Sequence, residues 1–266
     1  MEVTVMLSAR SLFQEILDDD RSFRLFCSIA ASGEAQGGWE NGRIAALVPE
    51  SMRDLAPKIA RHGADEDKHG RIFHALLKRR GLEPVEVPRE TDYTMLLERR
   101  GIGLTHVKLR RDEQLTEADI VIYLAHSRIT EQRAADQMVM LVKYFGGHPE
   151  VGRAVKMISD DEDNHLAYCH EELLRLAREG HSRTIHRILR ECALAEIEVY
   201  RQVSLAVMAR MGRLLDWPAP KAAVLAAGIH AVYAHERLLG WRRMVRLRMP
   251  ERRNALGGPA TTAPAF

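Results

Sequence analysis

Apolar residues recur along this chain at spacings of three and four, the period of an amphipathic α-helix, from about residue 11 nearly to residue 249. Start and stop signals divide that pattern. "SLFQ" at 11–14 resembles a capping box opening a short helix. Asp20 is placed to cap a longer helix running to about Ala46, where "VPE" stops it. Ser51 with Asp54 opens the next helix, which Gly81 of "RRG" ends. Residues 82–115 contain Pro84 and Pro88 and read as a long connection with one short helix around "YTMLLERR". Thr116 opens a further helix, and its end at "YFGGHP" forces an antiparallel return over about 149–179. Ser182 begins a fifth long helix ending near "LLDWPAP", and a sixth is expected from about Pro220 to Met249. The small, Pro/Gly-rich tail at 254–266 is expected to be disordered.

Two helical hairpins joined by a long crossover give an all-α fold, a four-helix bundle with ferritin-like connectivity over about 20–180. The two C-terminal helices, about 182–249, are additions without a linker of their own. The expectation is therefore a single domain over residues 1–253.

Polar residues interrupt the apolar stripes at matching heights. The second helix of the first hairpin reads Leu55, Ile59, His62, Glu66, His69, Phe73, Leu76. The second helix of the other hairpin reads Val151, Val155, Ile158, Glu162, His165, Cys169, Leu173. Both carry Glu-x-x-His where core residues belong, and positions three apart share a helix face. Each partner helix inserts one acid into its stripe: Glu34 lies 32 residues before Glu66, and Glu131 lies 31 before Glu162. Antiparallel hairpins with those spacings bring the positions to one level of the bundle.

Isolated ionised carboxylates cost several kcal/mol or more in an apolar interior. Two divalent cations would balance four of them, and two neutral imidazoles would complete the coordination. One Glu from each of two helices plus Glu-x-x-His from each of two others is the known ligand pattern of di-iron and di-manganese carboxylate bundles. Among 23 Glu and 12 His, chance supplies about one Glu-x-x-His. Two copies, each preceded by Asp and in phase with a core stripe, exceed that.

Composition narrows the setting. Apolar residues make up 46% and aromatic residues 6%, a mixture that favours helices. The 39 basic and 37 acidic residues leave a formal charge of +2, which points to no nucleic-acid partner. Cys27, Cys169 and Cys192 form no CxxC pair, in keeping with a reducing cytoplasm. No apolar run has the length of a membrane span.

On the repeated "DEDKH" and "DEDNH", the chain resembles the ferritin-like superfamily and, within it, the di-iron carboxylate oxidases and oxygenases. The resemblance implies that Glu34, Glu66, His69, Glu131, Glu162 and His165 are metal ligands, with Glu66 and Glu162 bridging. It also implies that Asp161 hydrogen-bonds His69 and that Asp65 hydrogen-bonds His165. The radical tyrosine of ribonucleotide reductase small subunits would fall at Phe73, so that activity is not expected.

A carboxylate-rich site without thiolate suits iron, with Mn/Fe or Mn/Mn as variants. The expected function is an O2-activating oxygenase, oxidase or desaturase. It would act on a small organic substrate, with O2 as cosubstrate and room for an external electron donor, and a homodimer is the expected partner state. Iron-oxidising storage, manganese catalase and a non-enzymatic scaffold are the alternatives.

Several residues leave two readings open. Gly33, Gly37 and Gly38 around Glu34 serve either close helix packing or a pocket beside the metals. Glu40 and Asp136 rival Glu34 and Glu131, with less suitable spacing. Glu191, Glu198, His230 and His235 either extend the site or are ordinary polar residues. His62, one turn before Glu66, is expected near the metals without binding them. Tyr168 is expected to be an ordinary packed residue. The basic run at 237–253 reads as a solvated helix face.

Overall fold

A computed structural model describes residues 8–247, and among these every regular element is helical. The long helices are α1 (Ala9–Asp18), α2 (Asp20–Leu47) and α3 (Ala56–Arg79). Short helices α4 (Tyr93–Arg99) and α5 (His106–Leu109) follow, then α6 (Glu117–Phe145) and α7 (Gly152–Leu176). The C-terminal part holds α8 (Ser182–Leu214), α9 (Ala219–His235) and α10 (Trp241–Met244).

Local chemistry explains most boundaries. Thr116 and Asp119 form a reciprocal capping box at the start of α6. Gly81, at φ +67°, takes the left-handed conformation that ends α3. Other starts differ from the expected ones. Ser8, not "SLFQ", caps α1, and Asp19, not Asp20, caps α2 by accepting from the Ser22 amide. Ser51 caps nothing: its hydroxyl donates to Glu117, and residues Glu50–Leu55 form a 3-10 turn. Helix α3 starts instead behind Pro57, which suits a first turn because it lacks the amide hydrogen.

The connection holds two short helices rather than one, capped by Asp92 and Thr105. The helix expected over 220–249 breaks into α9, a π-turn over Glu236–Gly240 and the short α10. Glu236 is tied there to Arg133 of α6, and Gly240 weakens helical order. The tail expected to be disordered lies outside the described residues.

Helix α2 packs along α3 and α6 along α7, with α8 laid on α6 and α9 on α8. One apolar cluster joins Ile44, Leu55, Ile59, Leu124 and Leu173 to Ile185, Leu189 and Ala193 of α8. A second joins Phe23, Cys27, Phe73, Leu76, Phe145 and Ile158. A third sets Met211, near the end of α8, against Ile16 and Leu25. Helix α8 therefore runs along the flank of the bundle.

Small residues let α2 and α3 approach closely. A Cβ on Gly63 would stand 3.0 Å from the Asn41 Cβ and 3.1 Å from the Gly38 carbonyl. Close packing is thus the role of Gly38. Gly37 faces inward, where a Cβ would meet Glu66 Oε2 at 3.3 Å, and Gly33 has open space around it.

Candidate metal centre

Between the first two apolar clusters the four long helices α2, α3, α6 and α7 turn polar side chains inward. Helix period sets the heights: Ile59 and Phe73, on either side of Glu66 and His69, belong to opposite clusters, as do Ile158 and Cys169 around Glu162 and His165. Glu66, His69, Glu131, Glu162 and His165 are buried, and Glu34 is partly exposed.

The side chains converge. His69 Nδ1 lies 3.4 Å from Glu34 Oε2 and 3.6 Å from Glu162 Oε1. His165 Nδ1 lies 3.6 Å from Glu66 Oε1 and 3.7 Å from both Glu131 Oε2 and Glu162 Oε2. Two groupings have their ligand-type atoms within 4.8 Å of one another: Glu34, Glu66 and His69, and His62, Glu66, Glu131 and His165. Glu66 belongs to both. Glu162 lies close to both histidines.

The outer nitrogens of the two motif histidines face the aspartates. His69 Nε2 donates to Asp161 Oδ2 at 3.0 Å, and His165 Nε2 faces Asp65 Oδ2 at 3.5 Å. Lys68 Nζ ties the two aspartates together, 2.7 Å from Asp65 and 2.6 Å from Asp161. Each hairpin thus contributes the acid that faces the other hairpin's imidazole. Such outer contacts fix ring orientation. The inner nitrogens, His69 Nδ1 and His165 Nδ1, are buried without a hydrogen-bond partner, as are Glu162 Oε2 and His165 Nε2, whose contact with Asp65 is a 3.5 Å ion pair rather than a hydrogen bond.

Electrostatics register the crowding. Burial pushes Glu34 and Glu162 well above the usual carboxylate range, and the charges of neighbouring glutamates add to it. Burial also opposes ionisation of Glu131, yet the His62 charge and the His165 hydrogen bond hold that acid well below its usual range. For His165, burial favours the neutral ring, but Glu131 and Glu162 outweigh it and lift the imidazole to about 11. Protons balance the acids where a cation would do so. Orphaned inward nitrogens among four carboxylates fit a pair of divalent cations.

His62 lies beside this centre, as its place one turn before Glu66 implied: Nε2 is 2.9 Å from Glu66 Oε1 and 3.4 Å from Glu131 Oε1. Tyr168, read as plain packing, hydrogen-bonds His62 and Tyr123. Lys68 stands inside "DEDKH", but its counterpart in the second motif is Asn164, so the repeat does not mark it as part of the site.

The rivals fall away. Glu40 pairs with His106, and Asp136 with Arg243. Glu191 pairs with Arg187, Glu198 with Arg201, and His230 and His235 are exposed. In the basic run, Arg242 and Arg243 are exposed, while residues beyond 247 lie outside the described part.

An apolar cavity of about 60 Å³ lies on the His69 side of the centre, walled by Phe13, Phe26, Phe73, Met138, Phe145 and Ile158 among others. Phe73 and Ile158 stand one helical turn from His69 and Glu162. Helix α1, rather than α8 or α9, covers it. No described helix is long and apolar enough to cross a membrane. No protein-family model, curated protein or solved structure matches the chain.

Proposed function

We propose that the protein is an O2-activating oxidoreductase of the ferritin-like, di-iron carboxylate kind, an oxygenase, oxidase or desaturase acting on a small organic substrate. Glu34, Glu66, His69, Glu131, Glu162 and His165 would hold two iron ions. The observation that carries the reading is the pair of buried imidazoles, each with its outer nitrogen turned to an aspartate and its inner nitrogen left without a protein partner.

Two iron ions, when bound, would supply the redox chemistry toward dioxygen, with an external electron donor to return them to the reduced state. The chain's own part is to orient the imidazoles through Asp161 and Asp65 and to keep the centre between two apolar clusters. Cavity size bears on what approaches. About 60 Å³ is far below the ~150 Å³ that takes up benzene, so that space suits a ligand of dioxygen's size rather than an organic ring. Entry of α3 and α6 into the first cluster by their N-terminal halves, and into the second by their C-terminal halves, supports a ferritin-like crossover. Helix α9 has no buried residue, and Val224 and Val232 are 53% and 52% exposed, which supports a homodimer.

Protein produced with iron should contain two ions per chain. Reduction without air followed by oxygen should give a transient visible absorbance. Glu66→Ala should lower both the iron content and the melting temperature, because it removes the carboxylate shared by both positions. Protein that contains manganese and disproportionates peroxide would turn the assignment to a catalase. Protein that takes up no transition metal under any condition would end the proposal.

A further inference from the structure

A single file of hydrogen bonds leads away from the centre through His62. Its Nδ1 lies 2.9 Å from the Tyr168 hydroxyl, which lies 2.7 Å from the Tyr123 hydroxyl. Tyr123 in turn donates to Asn41 Oδ1 at 2.7 Å. His62, Tyr123 and Asn41 are buried, at 2%, 3% and 6% exposure.

The direction of this file follows from its last member. A carbonyl oxygen only accepts, so the Tyr123 proton is committed to Asn41. Tyr123 can then only accept from Tyr168, and Tyr168 can only accept from His62. Nδ1 of His62 therefore carries a hydrogen, and Nε2, which hydrogen-bonds Glu66 Oε1 at 2.9 Å and faces Glu131, is the ring nitrogen that would bind a cation by giving up its own hydrogen. His62 also stacks on His165, with ring centroids 3.9 Å apart, which fixes its tilt.

Resting on the two-metal reading, we propose that His62 is an added ligand to one metal position only, and that Tyr168, Tyr123 and Asn41 are positioning residues that hold its Nε2 lone pair on that ion. The position built on Glu34 and His69 then has one imidazole. The position built on Glu131 and His165 has two. The two ions are chemically unequal although the Glu-x-x-His motifs that hold them are alike. Nitrogen ligands favour later divalent metals than carboxylates do, so the second position binds cobalt more tightly than the first.

Cobalt(II) titration followed by visible absorbance tests this on the full chain. Wild-type protein should show two binding steps. Tyr168→Phe, which leaves the His62 hydrogen without an acceptor, should weaken the tighter step roughly 10–100-fold and leave the other unchanged. The thermal melt of the metal-free variant serves as the folding check, and Tyr123→Phe, which should weaken the same step less, replaces it should it fail to fold. In zinc-loaded wild-type protein, ¹⁵N spectra should show Nε2 of His62 metal-bound and Nδ1 protonated. A zinc-loaded protein whose His62 keeps hydrogen on Nε2, as a reversed Asn41 amide would impose, overturns the inference, as do two cobalt steps indifferent to Tyr168→Phe. Wild-type protein that binds no cobalt instead refutes the metal reading itself.

Discussion

His170 is fully buried with neither ring nitrogen hydrogen-bonded, and His126 is half-buried with its Nε2 unpartnered. Burial lowers both imidazoles to about 4, with the nearby Arg128 charge adding to the effect at His170. The sign of the consequence is fixed. Below about 6.5 the unfolded chain takes up protons that the folded chain refuses, so stability is lost as pH falls from about 6.5 toward 4, by ~1.4 kcal/mol per pH unit for each group. Urea unfolding of His170→Gln across that window should show a slope shallower by about one proton than wild type, and equal slopes would refute it. At this scale the sequence was most informative where helix period placed a charged residue in an apolar stripe. Glu66, His69, Glu162 and His165 were legible for that reason. His62 sat in the same stripe, but its hydrogen-bond file depends on Asn41, Tyr123 and Tyr168 from three other helices, and no local pattern links them.

Element boundaries were legible where one residue decides them. Thr116 with Asp119 and Gly81 at its positive φ are such cases. Ser51 was misleading because its hydroxyl reaches Glu117, a partner 66 residues away. The glycines of "ASGEAQGGWENG" could not be sorted by sequence, since their roles depend on what faces them. The structure separates them, and substitution tests the separation. The tight side is probed from α3: Gly63→Ala should destabilise by ~1–3 kcal/mol, because its new methyl meets the backbone of Gly38 and Gly42 of that stretch, which cannot yield. Gly33→Ala, with nothing within 4 Å, should stabilise by up to ~1 kcal/mol through helix propensity. Chemical denaturation of the metal-free variants compares them directly. Similar effects at both positions would mean that the α2–α3 approach is looser than these distances.

At the scale of the whole fold, the all-helical architecture of the described residues was legible, whereas the course of α8 was not. Its apolar face could equally have capped the bundle, and only tertiary packing against α6, Ile16 and Leu25 decides for the flank. The exchange of aspartates between hairpins has a mechanical corollary. His69 rests on Asp161 and His165 on Asp65, so neither half of the centre is complete within its own hairpin. Bound ions would then act as a clasp across the two segments. A chain cut once at an engineered protease site after Glu86 should stay associated while loaded. Stripping the ions with a chelator should lower the urea concentration at which the fragments separate on gel filtration. Fragments that part at the same urea concentration either way would show that apolar packing alone does the fastening.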